Sequence, residues 1–361
     1  MWESCGFTKS EINLAGRKII AKNISSEERN ECLKVINSWR RAHAYPMNTF
    51  AINLRHIVNN IDGAVVVQRL KRLKTIEDKL VRFPEMELYR MQDLGGCRVI
   101  VPSVEDVYTV VKRMEQSRIR HKKAKPKDYI QAPNPDTGYR GYHLIYQYHS
   151  ERNTKFNGLR IEIQVRTALQ HSWATAVETV GEMTSNGLKF NQGDERWLLF
   201  FKYVASLFAL EEGTQLVAGT PEEPQSLVAM ILQSAEELNA FSFLRTIGIA
   251  TKELGHINRG KMSGYYLIIN NLEQGGDLTV KFFPGMIKQL VDATYEYDSI
   301  EAVEDVNRTD AVLVSAESYE NLVYAYPNYF SDVTAFLSNL ERLLAKYKPE
   351  RMVYSNSTGE G

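Results

Sequence analysis

Asp93 and Glu162 are the two carboxylates whose surroundings could do chemistry. Glu162 lies in Ile161-Glu162-Ile163-Gln164-Val165-Arg166-Thr167, where apolar residues alternate with Glu162, Gln164 and Arg166. That alternation reads as a strand with one polar face. Asp93 closes an amphipathic segment and precedes Cys97-Arg98-Val99-Ile100-Val101, which reads as a second strand. Two acids at neighbouring strand ends are hard oxygen ligands, few in number, and suit Mg²⁺ held jointly with substrate phosphates. Arg69, Lys71, Arg98, Lys127, Arg140 and Arg166 supply the cations a polyphosphate needs. Between the two acids, Gly138-Tyr139-Arg140-Gly141-Tyr142-His143 follows a loop at 131–137 that holds two prolines, so Tyr139 and Tyr142 are delivered on a loop.

Other elements must position these residues. Residues 1–61 read as helical, with Ser25-Ser26-Glu27-Glu28 a helix start and Pro46 a break. Val65 to Leu70 is a short apolar run that leads into Arg69, Lys71, Arg72 and Lys74, and Thr75 is read as the cap of a helix through Lys79. Val104 to Met114 is an amphipathic helix. The run from Ser117 to Lys127, with Arg118, Arg120, Lys122, Lys123 and Lys125, is the most basic short stretch. It is either a solvated loop or a phosphate-contacting patch. Asp194 to Leu210 is an aromatic-rich helix, and Ser226 to Leu254 is a second long helical stretch with Gly248 as its weak point. From Gly264 strands take over, at 265–269, 278–283 and 311–314, with a turn at Gly275-Gly276-Asp277. Helices are expected at 286–296, 299–304, 318–324 and 332–346, and the tail after Tyr347 is polar.

With 361 residues the chain has room for about two domains. Lys+Arg and Asp+Glu both number 44, so any case for nucleic-acid binding must rest on a local patch. Cys5, Cys32 and Cys97 are scattered and odd in number, which fits a reducing compartment and excludes a cysteine metal site. No apolar run suggests a signal peptide or a membrane span, so a cytoplasmic protein with no membrane partner is expected.

Arg69-Leu70-Lys71 with Thr75-Ile76 and Lys79, Asp93-Leu94-Gly95-Gly96-Cys97-Arg98, Asp128-Tyr129-Ile130, the 138–143 segment, the 162–167 segment and His171-Ser172-Trp173-Ala174 occur in the order of one known family. Over roughly 65 to 180 the chain resembles the RelA/SpoT nucleotidyl pyrophosphokinase domain. That resemblance implies an α+β fold, a mixed sheet flanked by helices. It implies transfer of pyrophosphate from ATP to a ribose 3′-hydroxyl. Carried over by position, Asp93 and Glu162 would hold Mg²⁺, and Glu162 would take the hydroxyl proton. Arg69 and Arg98 would flank the adenine, and Lys71 and Lys79 would meet the phosphates. Tyr139 would stack on the acceptor base, with His143 and Gln164 in support. After Trp173 the family usually carries a Glu/His and a Tyr-Lys pair, whereas Glu178 and then Gly181-Glu182-Met183 stand here. No His-Asp motif of the family's hydrolase half is present, so synthesis without hydrolysis is expected.

Asp310-Ala311-Val312-Leu313-Val314-Ser315 and Tyr326-Pro327-Asn328-Tyr329-Phe330 resemble the antitoxin-like part of the CapRel group, in which a toxic synthetase and its inhibitor share one chain. The expected organisation is a pyrophosphokinase domain over 1–190, a helical connector over 191–260, a small α/β antitoxin-like domain over 261–347 and a tail over 348–361. The resemblance implies that Tyr326 and Tyr329 block the ATP site until a phage capsid protein releases them; read without it, the two tyrosines anchor a turn into the last helix. It also implies the 3′ end of tRNA as acceptor, contacted by Arg118, Arg120, Lys122, Lys123 and Lys125. The alternative acceptor is GDP or GTP, giving (p)ppGpp. An inactive nucleotide- or RNA-binding regulator is a third reading, against which Asp93 and Glu162 argue.

Overall fold

The computed structural model describes residues 2–117, 121–186, 193–252, 263–271, 277–301, 309–327 and 333–348. Arg118, Arg120 and Tyr329 lie outside the described residues, as do Gly275 and Gly276 of the expected turn, residues 302–304 of an expected helix and the tail from 349.

Three N-terminal helices come first: α1 (Lys9–Ile19), α2 (Ser26–Ala42) and α3 (Ala44–Val58). Capping boxes set the first two starts, Thr8 with Glu11 and Ser25 with Glu28. Pro46 does not break the helix run as expected. It sits in the first turn of α3, where its missing N–H costs nothing, and the chain turns at His43 instead.

The strands form one mixed sheet. In chain order they are β1 (Val65–Leu70), β2 (Gly95–Val101), β3 (Lys122–Lys123), β4 (Lys127–Asp128), β5 (Tyr142–Gln147), β6 (Arg160–Thr167), β7 (Gly264–Asn271), β8 (Asp277–Pro284) and β9 (Thr309–Ala316). The spatial order is β3-β5-β6-β2-β1-β9-β7-β8, with β4 also paired to β5. Among the described residues only β2 and β6 pair in parallel, with Gly96 opposite Glu162 and Arg98 opposite Gln164. The basic run is therefore not a plain loop. Its lysines form two short edge strands against β5, Lys122 opposite Gln147 and Lys127 opposite His143.

The C-terminal strands do not build a sheet of their own. β9 pairs with β1 at Gln68 and Arg69, so one sheet runs from the N-terminal half into the C-terminal unit. One sheet face is covered by α3, by α5 (Val104–Gln116) and, beneath β7 and β9, by α10 (Ile287–Glu301). The two helices expected at 286–304 are thus one continuous α10 as far as the described residues go. The other face carries α6 (Ala168–Asn186) and α11 (Tyr319–Ala325).

A separate core is built by α6 with α7 (Gly193–Glu211), α8 (Pro224–Glu237), α9 (Ala240–Lys252) and α12 (Thr334–Tyr347). Trp173, Phe200, Phe208 and Phe336 are buried in it. The last helix among the described residues, α12, therefore packs with the helical connector. The stretch expected to weaken at Gly248 breaks at Asn239, whose φ of 50° is left-handed. Asn tolerates that region, and Gly248 continues α9. Among the described residues no helix is long and apolar enough to cross a membrane.

Candidate active site

Side chains alternate across each strand, and the alternation sorts the polar residues onto one face. On β6, Ile161, Ile163 and Val165 enter the core beneath α3 and α5, so Glu162, Gln164 and Arg166 face the other way. His143 on β5, Gly96 and Arg98 on β2 and Arg69 on β1 share that face through the register Arg69–Gly96–Glu162 and Arg98–Gln164–His143. A cavity of about 110 Å³ opens there, lined by Arg69, Lys71, Asp93, Gly96, Arg98, Glu162, Gln164 and Tyr326 among others.

Asp93 stands in the loop before β2. Lys71 Nζ reaches its carboxylate at 3.0 Å, and Lys79 Nζ, from α4 (Leu73–Arg82), spans both oxygens at 2.9 and 3.0 Å. Burial works to raise the Asp93 pKa, but the two ammonium groups outweigh it and hold the acid below its ordinary value. Burial likewise lowers the Lys71 pKa, against the pull of Asp93.

Glu162 is held differently. His143 Nδ1 lies 3.0 Å from Oε1, and Gln164 Nε2 donates to Oε2 at 2.9 Å. An ionised carboxylate only accepts, so Nδ1 is the donor, and the Tyr139 hydroxyl lies 2.6 Å from Nε2 on the far side of the imidazole. Arg166 closes the ring. Its Nε donates to Tyr139 Oη at 3.1 Å and its Nη2 to Gln164 Oε1 at 2.9 Å, with its guanidinium 5.0 Å from the Tyr139 ring centroid. Burial raises the Glu162 pKa, and the hydrogen bond and charge supplied by His143, with the Gln164 hydrogen bond, together outweigh it to leave a net lowering. Gly141 makes the ring possible: at φ 151° it is in glycine territory, and a Cβ would meet Tyr139 Oη at 3.1 Å and Arg166 Cγ at 3.2 Å.

Arg98 faces the C-terminal unit. Its Nη1 donates to the Ala325 carbonyl at 2.9 Å, and its guanidinium lies 5.4 Å from the Tyr326 ring centroid. Burial, with Arg166 nearby, pulls its pKa down to about 10. His171 on α6 makes the neighbouring contact, donating from Nε2 to the Tyr324 carbonyl at 3.0 Å. Burial, then Arg98 and Arg166, hold its pKa well below the usual histidine range, so the ring is neutral. Tyr326 itself is 2% exposed. In the sequence His171 stands out only as part of the His171-Ser172-Trp173-Ala174 motif, and its hold on the Tyr324 main chain carries no local signal.

Other expected residues stand apart. Arg140 is not a site cation: it is buried against Glu212 at 2.6 Å, with Thr167 and Gln170 completing that carboxylate's contacts. Lys122, Lys123 and Lys125 are exposed and do not line the cavity. Lys122 pairs four residues along β5 from His143, about 13 Å away at strand rise. Glu178, on α6, keeps a lowered pKa because Arg98, Arg69, Arg166 and Arg72 outweigh its burial.

The chain is similar to known proteins. The family model described as "Region found in RelA / SpoT proteins" matches residues 68–180. The GTP pyrophosphokinase YwaC of Bacillus subtilis (strain 168) is 32% identical over 152 residues, which cover 40% of this chain and 69% of that one. The chain belongs to the RelA/SpoT family. A second relative, the GTP pyrophosphokinase YjbM of the same organism, is 34% identical over 112 residues, 30% of this chain and 52% of that one. Among solved structures, small alarmone synthetase 1 from Bacillus subtilis covers 48% of this chain and 89% of its own at 23% identity, with a TM-score of 0.40. In this RelA/SpoT chain the matched segment holds Arg69, Lys71, Lys79, Asp93, Arg98, Tyr139, His143, Glu162, Gln164 and His171, while Tyr326 comes from outside it.

Proposed function

We propose that this chain is an ATP-dependent pyrophosphokinase with a guanine nucleotide, GDP or GTP, as acceptor, and that the state described is closed by its own C-terminal unit. The convergence of Asp93, Glu162, Lys71, Arg69 and Arg98 on one cavity carries the reading, in a chain two of whose relatives are named GTP pyrophosphokinases.

In this reading Lys71 and Lys79 leave Asp93 in part to take up the ATP phosphates, and Arg69 and Arg98 flank the adenine. Glu162 accepts the proton of the acceptor's 3′-hydroxyl as that oxygen bonds the β-phosphorus. The bond from the β-phosphorus to the bridging oxygen breaks, and AMP departs with its electron pair. The ring through Tyr139, His143, Gln164 and Arg166 holds Glu162 in one orientation, so the rate comes from positioning and charge neutralisation. The donor set fits Mg²⁺: Asp93 and Glu162 line one cavity and have pKa values shifted towards the ionised form, and a few hard carboxylate oxygens suit an ion shared with substrate phosphates. Asp93 and Glu162 would hold Mg²⁺, which would supply neutralisation of phosphate charge.

The closed state rests on size and contact. A cavity of about 110 Å³ is small beside the roughly 300–1,000 Å³ of ordinary ligand sites. Tyr326 occupies the side of Arg98 where the adenine would stack. A second reading keeps the chemistry and takes the tRNA 3′ end as acceptor, with a phage capsid protein as the trigger that withdraws Tyr326. The exposed Lys122, Lys123 and Lys127 on the edge strands, with Lys125 exposed between them, favour it.

The full chain carrying Tyr326→Ala, given γ-labelled ATP and either GDP, GTP or bulk tRNA, separates the readings. Label in a guanine nucleotide supports the first, and label in tRNA supports the second. Label in neither, from folded protein, contradicts both.

A further inference from the structure

Helix α4, which carries Lys79, starts without a cap of its own. Its N-cap residue is Arg72, whose side chain makes no capping bond, and its first turn holds no acid. Lys74 adds another positive charge where the helix dipole disfavours one. Thr75, expected to be the cap, lies inside the helix.

The missing acceptor comes from the far end of the chain. Glu301, the last residue of α10, accepts from Leu73 N at 2.9 Å through Oε1 across 228 positions. Its Oε2 is fixed at 2.6 Å by Nη1 of Arg40, a residue of α2 whose side chain is 1% exposed. Arg40 is itself oriented by Asn37 Oδ1 at 2.9 Å, by Asp298 at 3.6 Å and by the Tyr297 ring at 5.0 Å. Burial works against the Arg40 charge, yet Glu301, Tyr297 and Asp298 raise its pKa. α10 covers the sheet face opposite the one that carries Tyr326 and the cavity.

We infer that Glu301 is a positioning residue for the nucleotide site: the C-terminal unit supplies the N-terminal cap of the helix that holds Lys79 on Asp93. The unit then acts on the site from both faces, Tyr326 filling it and Glu301 ordering its phosphate-binding lysine. Activation must withdraw Tyr326 while leaving Glu301 in place. The catalytic half of this inference rests on the ATP-site reading above; the structural half does not.

The test uses the full chain with Tyr326→Ala, with and without Glu301→Ala. Hydrogen exchange of residues 73–82 should quicken by about tenfold when Glu301 is lost, the equivalent of one helix cap. The KM for ATP should rise by about the same factor, with kcat changed less than about twofold. Adding Lys74→Glu, a first-turn acid that compensates the dipole from within α4, should restore both protection and KM. Exchange in residues 264–271 reports whether the unit has undocked; if it has, the Lys74→Glu rescue still decides. Unchanged exchange in α4, or no rescue by Lys74→Glu, overturns the inference. If the Tyr326→Ala chain transfers nothing at all, the ATP reading fails, and the exchange result alone then decides the cap.

Discussion

Truncating Tyr326 to alanine should open the site. The ring is 2% exposed and rests against the Arg98 guanidinium, 5.4 Å from its centroid. Deleting a buried aromatic side chain costs the state that buries it about 3–5 kcal/mol, and a desolvated cation–π contact accounts for about 2 of that. In an opened state the same ring is in water and its loss costs little. The main-chain bonds from Arg98 to the Ala325 carbonyl and from His171 to the Tyr324 carbonyl survive the substitution, at 2.9 and 3.0 Å. They keep the effect at the lower end. A shift of about 3 kcal/mol between closed and open states raises the apparent affinity for an ATP analogue a little over a hundredfold, provided the open state is still the minor one in the parent chain. Titration calorimetry with a non-hydrolysable ATP analogue reads this directly on the two full chains. Equal or weaker affinity in Tyr326→Ala, with the protein folded and monodisperse, would refute the claim that this ring closes the site.

Asp93→Asn or Glu162→Gln in the Tyr326→Ala chain should lower pyrophosphate transfer by at least about a hundredfold, since each removes a charge that the site organises. Initial rates with labelled ATP check this, and a variant retaining a tenth of the activity would remove that carboxylate from the chemistry. Replacing Lys122, Lys123 and Lys125 with Glu should leave guanine-nucleotide pyrophosphorylation within about twofold, because these lysines are exposed and off the cavity. If tRNA is the acceptor, the same change should flatten the salt dependence of its binding by about two to three in log–log slope. His43 is buried, and that burial pushes its pKa down to about 4 from an ordinary 6.5. The unfolded chain therefore takes up this proton first. Stability owed to the neutral ring is complete above pH 6.5 and lost as pH falls towards 4, by up to about 3 kcal/mol. Urea midpoints at pH 7 and pH 4.5 should fall less for His43→Gln than for the parent chain; identical slopes would mean His43 is not the group that titrates.

How far the site was legible follows from how local each signal is. The alternation around Glu162 is a strand's own pattern, so its polar face could be read residue by residue, and the register with β2 brings Arg98 and Gly96 beside it. Ser25 and Glu28 spell a capping box within four residues and define the start of α2. Arg140 looked like one more cation of the site because its sequence neighbours belong there, but its partner Glu212 is contributed from beyond the end of α7. Glu301 and Leu73 are likewise joined only by tertiary structure, and nothing near Leu73 announces a cap that arrives from α10. The strands after Gly264 were legible as strands. That they extend the N-terminal sheet through β9 and β1 was not, because two ladder residues at an edge leave no pattern of their own.

The most direct test of the two-carboxylate site is a crystal of the Tyr326→Ala chain grown with Mn²⁺ and a non-hydrolysable ATP analogue, read by anomalous scattering. The expected result is a manganese ion bonded to both Asp93 and Glu162 and to oxygens of the analogue's phosphates. Phosphates bound elsewhere, or manganese bonded to neither carboxylate, would contradict it.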